Sequence, residues 1–152
     1  MTVGDERLLR GLYDLKYLFG DKWVPAILVL LLNGPMRRKE ILSTLSSYSI
    51  GKEWSDKHTV LHDSYLARVL KKLTEAGLLA RTRETEPFPP RVYYSLKPEV
   101  VEFLELSRTL LTWIDAHPNV IARAQEYARR NGDELEASTD EDFGLSDEDD
   151  ED

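Results

Sequence analysis

Apolar residues recur at helical spacing over most of the chain and alternate with polar ones in one short stretch. Leu8, Leu12, Leu15 and Phe19 follow at steps of four, three and four, one stripe of a helix over Asp5 to Phe19 that Gly20 ends. Pro25, near a first helical turn, leads into AILVLLL, apolar on all sides until Asn33-Gly34-Pro35 stops it. A short helix of that kind belongs at the centre of a core. Arg37 to Leu45 sets Ile41, Leu42 and Leu45 on one face behind Arg37, Arg38 and Lys39, a third helix with a basic start. SSYSIGKEWSDKHTV then breaks the period and reads as a loop.

The period returns at His62. At 100° per residue, Leu66, Val69, Leu70 and Leu73 gather on one side of a helix over 63–76, and Ser64, Ala67, Arg68, Lys71 and Glu75 gather opposite. Gly77 closes it as a glycine C-cap. Leu78 to Glu84 and Arg91 to Leu96 read as two strands around the tip Glu86-Pro87-Phe88-Pro89-Pro90. Val92, Tyr94 and Leu96 alternate with Arg91, Tyr93 and Ser95, and Arg81 and Arg83 share a face. The expectation is a hairpin with one packed and one basic face. Pro98 opens a helix to about Ala116 with Val100, Phe103, Leu104, Ser107, Leu110, Leu111 and Ile114 on one side, widened by Leu106 and Trp113. That stripe covers about half the circumference, more than the ~100° one core needs, and suggests a second copy of the chain. Pro118 interrupts, and Val120, Ile121, Ala124, Tyr127 and Ala128 mark a last helix ending at Asn131-Gly132.

The order three helices, loop, helix, hairpin, helix describes a mainly α fold with a β-hairpin wing, an α+β winged helix-turn-helix. Charge sharpens that picture once it is counted by segment. The 152 residues carry 20 Lys+Arg against 28 Asp+Glu, a net charge of −8. Residues 133–152 hold twelve of the acids and no base, which leaves residues 1–132 at about +4. The expected organisation is a folded region over 1–132 and a disordered acidic tail over 133–152, solubilising or in competition with DNA for the same cations. The chain has no Cys, which removes disulfides, thiolate metal sites and cysteine nucleophiles. It also removes thiol oxidation as a means of effector control. No secretory leader or membrane span is legible in the sequence, so a cytoplasmic protein is expected.

Three motifs in order, FGDKWVPAILVLLLNGPMRRKEI, LHDSYLARVLKKLTEAGLLART and PPRVYYSL, resemble the HxlR-type winged-helix regulators of bacteria over roughly residues 12–115. The resemblance implies a homodimeric DNA-binding transcription regulator whose N- and C-terminal helices form the dimer. This chain departs from the family in two places. Some fifteen residues stand between Leu45 and Leu61 where the family has a four-residue turn, and Arg38-Lys39 stands where the family has Arg-Phe. The long loop is a candidate DNA contact, ligand lid or partner surface.

On this reading Ser64, Ala67, Arg68 and Lys71 face base edges, and Lys72, Arg37, Arg38, Lys39, Arg81, Arg83 and Arg91 face phosphates of double-stranded DNA. Leu8, Leu12, Leu15, Phe103, Leu106, Leu110 and Trp113 face the second copy. The competing reading is a winged-helix interaction module with weak or no DNA binding, using residues 46–61 and the acidic tail. His58 and His62, four apart with Asp56 and Asp63 nearby, have a metal-site spacing, but helix capping by Asp63 is the simpler account. Trp23 and Trp113 read as core or interface, and Trp54 as a residue folded back or facing a partner. No glycine-rich phosphate loop, nucleophile elbow or carboxylate pair points to an enzyme. No cofactor or metal is expected, and any small-molecule effector is unknown.

Overall fold

The computed structural model describes residues 3–19, 22–47 and 60–143, as backbone alone at residues 3, 4, 129 and 132–143. The elements in chain order are α1 (Val3–Phe19), α2 (Val24–Leu30) running into a 3-10 turn at Leu31–Asn33, α3 (Arg38–Ser46), α4 (Asp63–Glu75), β1 (Leu79–Glu84), β2 (Arg91–Leu96), α5 (Pro98–Ala116) and α6 (Pro118–Phe143). The described residues fall into two compact units, one ending at Ser107 and one beginning at Arg108.

The first unit holds the core. Val24, Ile27, Leu28, Leu30 and Leu31 of the α2 segment meet Ile41 and Leu45 of α3, Leu66, Val69, Leu70 and Leu73 of α4, Leu79, Val100 and Leu104. The four buried residues of α4 are the four that the 100° period selects. α2 is central as expected, except that Val29 stays 56% exposed. Burying Val24, Ile27, Leu28 and Leu30 stabilises the fold by roughly 1.5 to 3 kcal/mol each, so a seven-residue helix with no side-chain cap persists through tertiary packing.

Two glycines set the chain's direction. Gly77 has φ +82, and its N–H donates to the Thr74 carbonyl while that of Leu78 donates to Leu73, which is a Schellman motif. Leu78, thus turned, packs against the core beside the start of β1. Gly34, at φ 125 and ψ 178, makes a turn that an L side chain rarely adopts and releases the chain into Met36. Met36 then joins the sheet. Its N–H donates to the Tyr94 carbonyl at 3.0 Å and the Tyr94 N–H donates back at 2.8 Å.

β1 and β2 pair antiparallel with Leu79 opposite Leu96, Arg81 opposite Tyr94, Arg83 opposite Val92 and Glu84 opposite Arg91. Opposite residues point to the same face. Arg81 and Arg83 therefore share the face of Leu79, Tyr94 and Leu96, and Arg91 lies on the other with Tyr93 and Ser95. The hairpin does not divide into a packed and a basic face as the alternation suggests. Its core-side face becomes basic toward the tip, where the strands outrun the core.

α5 covers Pro98–Ala116 and Pro118 opens α6, both as expected. α6 does not stop at Asn131-Gly132, and its backbone stays helical to Phe143, eleven residues into the expected tail. One glycine costs a helix interior about 1 kcal/mol, which the helix formers Glu, Leu and Ala that follow can offset. Residues 144–152 of that tail lie outside the described residues.

Candidate nucleic-acid interface

α4 presents the expected outer face. Ser64, Arg68, Lys71 and Lys72 are exposed and Ala67 is half-buried. The Arg68 guanidinium stands 5.8 Å from the Tyr65 ring centroid, one helical turn back. Past the C-terminal end of α4 the wing folds alongside, and Lys71, Thr74 and Glu75 of α4 line an open concavity of about 380 Å³ with Arg81 and Tyr94 of the wing. Lys71 and Arg81, ten residues apart in sequence and on either side of the Schellman turn, thus reach one groove, which Glu75 partly neutralises. Thr74 is held there by donating its hydroxyl to the Leu70 carbonyl at 2.7 Å.

The basic start of α3 is not a row of free cations. Glu40 accepts the Arg37 backbone N–H at 3.0 Å and the Arg37 Nε–H at 3.2 Å, closing the first turn of α3. Arg38 Nε lies 3.0 Å from Asp63 Oδ1 at the N-terminal end of α4, so this ion pair spans the two helices of the helix-turn-helix. His62, not Asp63, is the N-cap residue of α4, and it makes no side-chain cap bond. The capping expected of Asp63 is replaced by that pair, because the helix begins at Asp63 itself. Both partners are about half exposed, where such pairs contribute ~0 to 1 kcal/mol. Lys39 is exposed on α3. Arg91 and Arg83, both exposed, lie on opposite faces of the wing.

Asp63, Glu40, Thr74, Glu75 and Tyr94 were not among the expected site residues. Glu40 carried a signal, since Glu at the third helical position is half of a capping box. Its carboxyl is held below the usual glutamate range by the hydrogen bond from the Arg37 backbone N–H, against a weaker opposing effect of burial, with the guanidinium groups of Arg37 and Arg91 assisting. A lowered folded-state value means that Glu40 contributes stability above the ordinary range and loses it as the pH falls through the folded value. Arg37→Ala keeps the N–H and should leave the carboxyl lowered, whereas Arg37→Pro removes it and should return Glu40 toward its ordinary value. Carboxyl NMR titration of the two variants reads the difference.

The surfaces expected to meet a second copy are open. Leu8 and Leu12 of α1 and Leu106, Leu110 and Trp113 of α5 are exposed. Leu15 and Phe103 are half-buried, and the Phe103 ring packs against that of Phe19 with centroids 5.4 Å apart. Trp113 stacks on His117 at 4.6 Å, and Trp23 packs against the core. Trp54, Asp56, His58 and most of the 46–61 loop lie outside the described residues. Among the described residues no group of three metal-ligating side chains gathers, and no helix is long and apolar enough to cross a membrane.

The sequence profile of the HxlR-like helix-turn-helix family matches residues 18–121, more than half of the chain. The protein belongs to the HxlR-like helix-turn-helix family. The chain matches no curated protein. Similar solved structures include a transcriptional regulator of the MarR family from Enterococcus faecalis V583, at 22% identity and TM-score 0.59, covering 76% of this chain and 92% of that one. The redox regulator HypR in its reduced form, at 18% identity and TM-score 0.56, covers 74% of this chain and 98% of its own. Diamide-treated YodB from B. subtilis, at 23% identity and TM-score 0.52, covers 68% and 89%. At these identities the likeness is one of fold, and it agrees with the winged helix built above from α3, α4 and the hairpin. In this HxlR-like chain, α4 follows α3 in sequence and is followed directly by the hairpin.

Proposed function

We propose that the protein is a homodimeric transcription regulator that inserts α4 into the DNA major groove and lays the wing along the flanking backbone. The observation that carries this reading is the groove shared by Lys71 of α4 and Arg81 of the wing, beside the exposed Ser64 and Arg68. A duplex, with base edges inside its groove and phosphates along the rim, suits two cations held by separate elements around one concavity, Lys71 toward the base edges and Arg81 toward the adjoining backbone. Ser64, Ala67, Arg68 and Lys71 read base edges, and Lys72, Lys39, Arg83 and Arg81 meet phosphates. Arg37, Arg38 and Arg91 are a reserve of phosphate contacts already engaged by or near acids. Arg38 must leave Asp63 to reach DNA, so its net contribution is smaller than that of an unpaired cation.

A second copy on α1 and α5 supplies what the exposed apolar side chains there lack, with Leu8, Leu12, Leu15, Phe103, Leu106, Leu110 and Trp113 at the contact. Two-fold symmetry then calls for a pseudo-palindromic site with half-sites about 34 Å, or multiples of it, apart. Among the similar folds are a redox regulator and a protein treated with diamide, a thiol oxidant. This chain has no Cys for such an oxidant to act on, so any effector acts through a different group.

Readout and positioning separate by mutation. Arg68→Ala is expected to cost about 1 to 3 kcal/mol and to relax preference at one base pair, whereas Arg83→Ala weakens all sequences alike and lowers the salt slope by about one. Fluorescence anisotropy on a selected and a scrambled duplex, at stated salt, measures both. Equal losses on both duplexes for both variants would restrict Arg68 to phosphate, and no binding of the wild type to any duplex would sink the reading in favour of an interaction module.

A further inference from the structure

The tip of the wing is apolar, and it stands clear of the body. Phe88 is 89% exposed, the most exposed of the large apolar side chains described. Pro87 and Pro89 flank it and Pro90 follows, so the loop between Glu84 and Arg91 has few backbone donors and fixed φ at three positions. A phenyl group held out on such a loop buries almost nothing in its own fold. The face of the hairpin that leads to it carries Arg81 and Arg83 opposite Tyr94 and Val92, with no acid across from either. Glu84 is paired across the strands with Arg91 on the other face. Glu86 remains beside the tip and weakens contact with phosphate there, which leaves the ring as what the tip offers to nucleic acid.

Reach agrees. Six-residue strands at roughly 3.3 Å per residue carry the tip about 20 Å beyond Leu79. The centre of a major groove lies about 17 Å, half of a 34 Å helical turn, from the centre of the adjacent minor groove. A wing directed along the duplex from a recognition helix in the one therefore has the length to reach the other. Apolar side chains that enter a minor groove act as wedges, unstacking a base step and kinking the duplex toward the major groove.

We propose that Phe88 is such a wedge, entering a base step of the flanking minor groove while Arg83 and Arg81 hold the phosphates on the approach. This rests on the DNA-binding reading above and adds to it a bend and a preference for easily unstacked pyrimidine–purine steps at a position without hydrogen-bonded readout.

The test uses the full chain and a duplex selected by the wild type from random-sequence DNA, with 2-aminopurine moved step by step through the flanks and dyes at both ends for energy transfer. The wild type should raise 2-aminopurine emission several-fold at one step in each flank and shorten the end-to-end distance. Phe88→Ala should abolish both signals and weaken binding about tenfold, the part of phenyl burial that remains after unstacking is offset. Phe88→Leu should retain most of both. Because Phe88 is outside the core, these variants fold as the wild type does. If the wild type binds without unstacking or bending, or if Phe88→Ala binds and bends DNA as the wild type does, the wedge is overturned and the DNA reading stands. A Phe88→Ala defect confined to reconstituted transcription, with DNA binding and bending intact, overturns it as well and assigns the tip to a protein. Failure of the wild type to bind any duplex removes both.

Discussion

Leu70→Ala should destabilise the protein by about 2 to 5 kcal/mol, enough to unfold a large fraction of a marginally stable domain at 37 °C. Leu70 is fully buried in the middle of α4, within the cluster shared by α2, α3 and β1. Truncation there removes the transfer free energy of the lost methyl groups and leaves a cavity that rigid helices on three sides cannot close. Lys71→Ala, one residue on and exposed, should stay within about 0.5 kcal/mol. Urea titration followed by circular dichroism compares the two, with the midpoint moving and the slope constant. A Leu70→Ala cost below about 1 kcal/mol would mean that α4 is not seated on this core, and the outer face read from its orientation would fall with it.

Leu12→Glu should leave the fold intact and abolish the proposed dimer. Leu12 is 53% exposed on α1, so the substitution adds a charge where the chain alone has little to lose. In a two-fold contact the same carboxylate enters twice, against Leu8 and Leu15 of a like stripe. An unpaired buried charge costs about 3 to 5 kcal/mol, two or more powers of ten in the dissociation constant. Sedimentation velocity should show a monomer at concentrations where the wild type is a dimer. Operator affinity should fall by roughly 10² to 10⁴, the avidity of two linked half-sites, with binding to a single half-site unchanged. A wild type that sediments as a monomer at micromolar concentration would refute the interface directly.

What the sequence reveals depends on how locally each feature is determined. The buried face of α4 is legible because a 3.6-residue period is an internal property of thirteen residues. Both ends of α5 are legible because Pro98 opens that helix and Pro118 opens the next. The wing's facing was not legible, since a six-residue tip with three prolines does not fix which parity of β1 meets which parity of β2. Only the observed register moves Arg81 and Arg83 away from Arg91. The sequence pattern ends α6 too early, because Gly132 is a statistical stop and not a steric one. The pairing of Arg38 with Asp63 joins residues twenty-five apart through two helix starts, and no spacing rule reports it. Family resemblance recovered the winged helix, and it is silent on these particulars because they depend on this chain's own side chains.

The exchange of two hydrogen bonds between Met36 and Tyr94 gives the hairpin a third neighbour at its root, and the Lys97 N–H closes that root against the Leu78 carbonyl. Beyond Tyr94 only two strands continue, and a two-stranded ribbon is only marginally stable by itself. The wing is thus a cantilever, clamped where it shares a sheet with the lead-in to α3 and compliant from Val92 outward. Thermal motion should grow along it toward Phe88. The outer part can then adapt to duplexes of different curvature while the clamped end keeps Arg81 in fixed relation to α4.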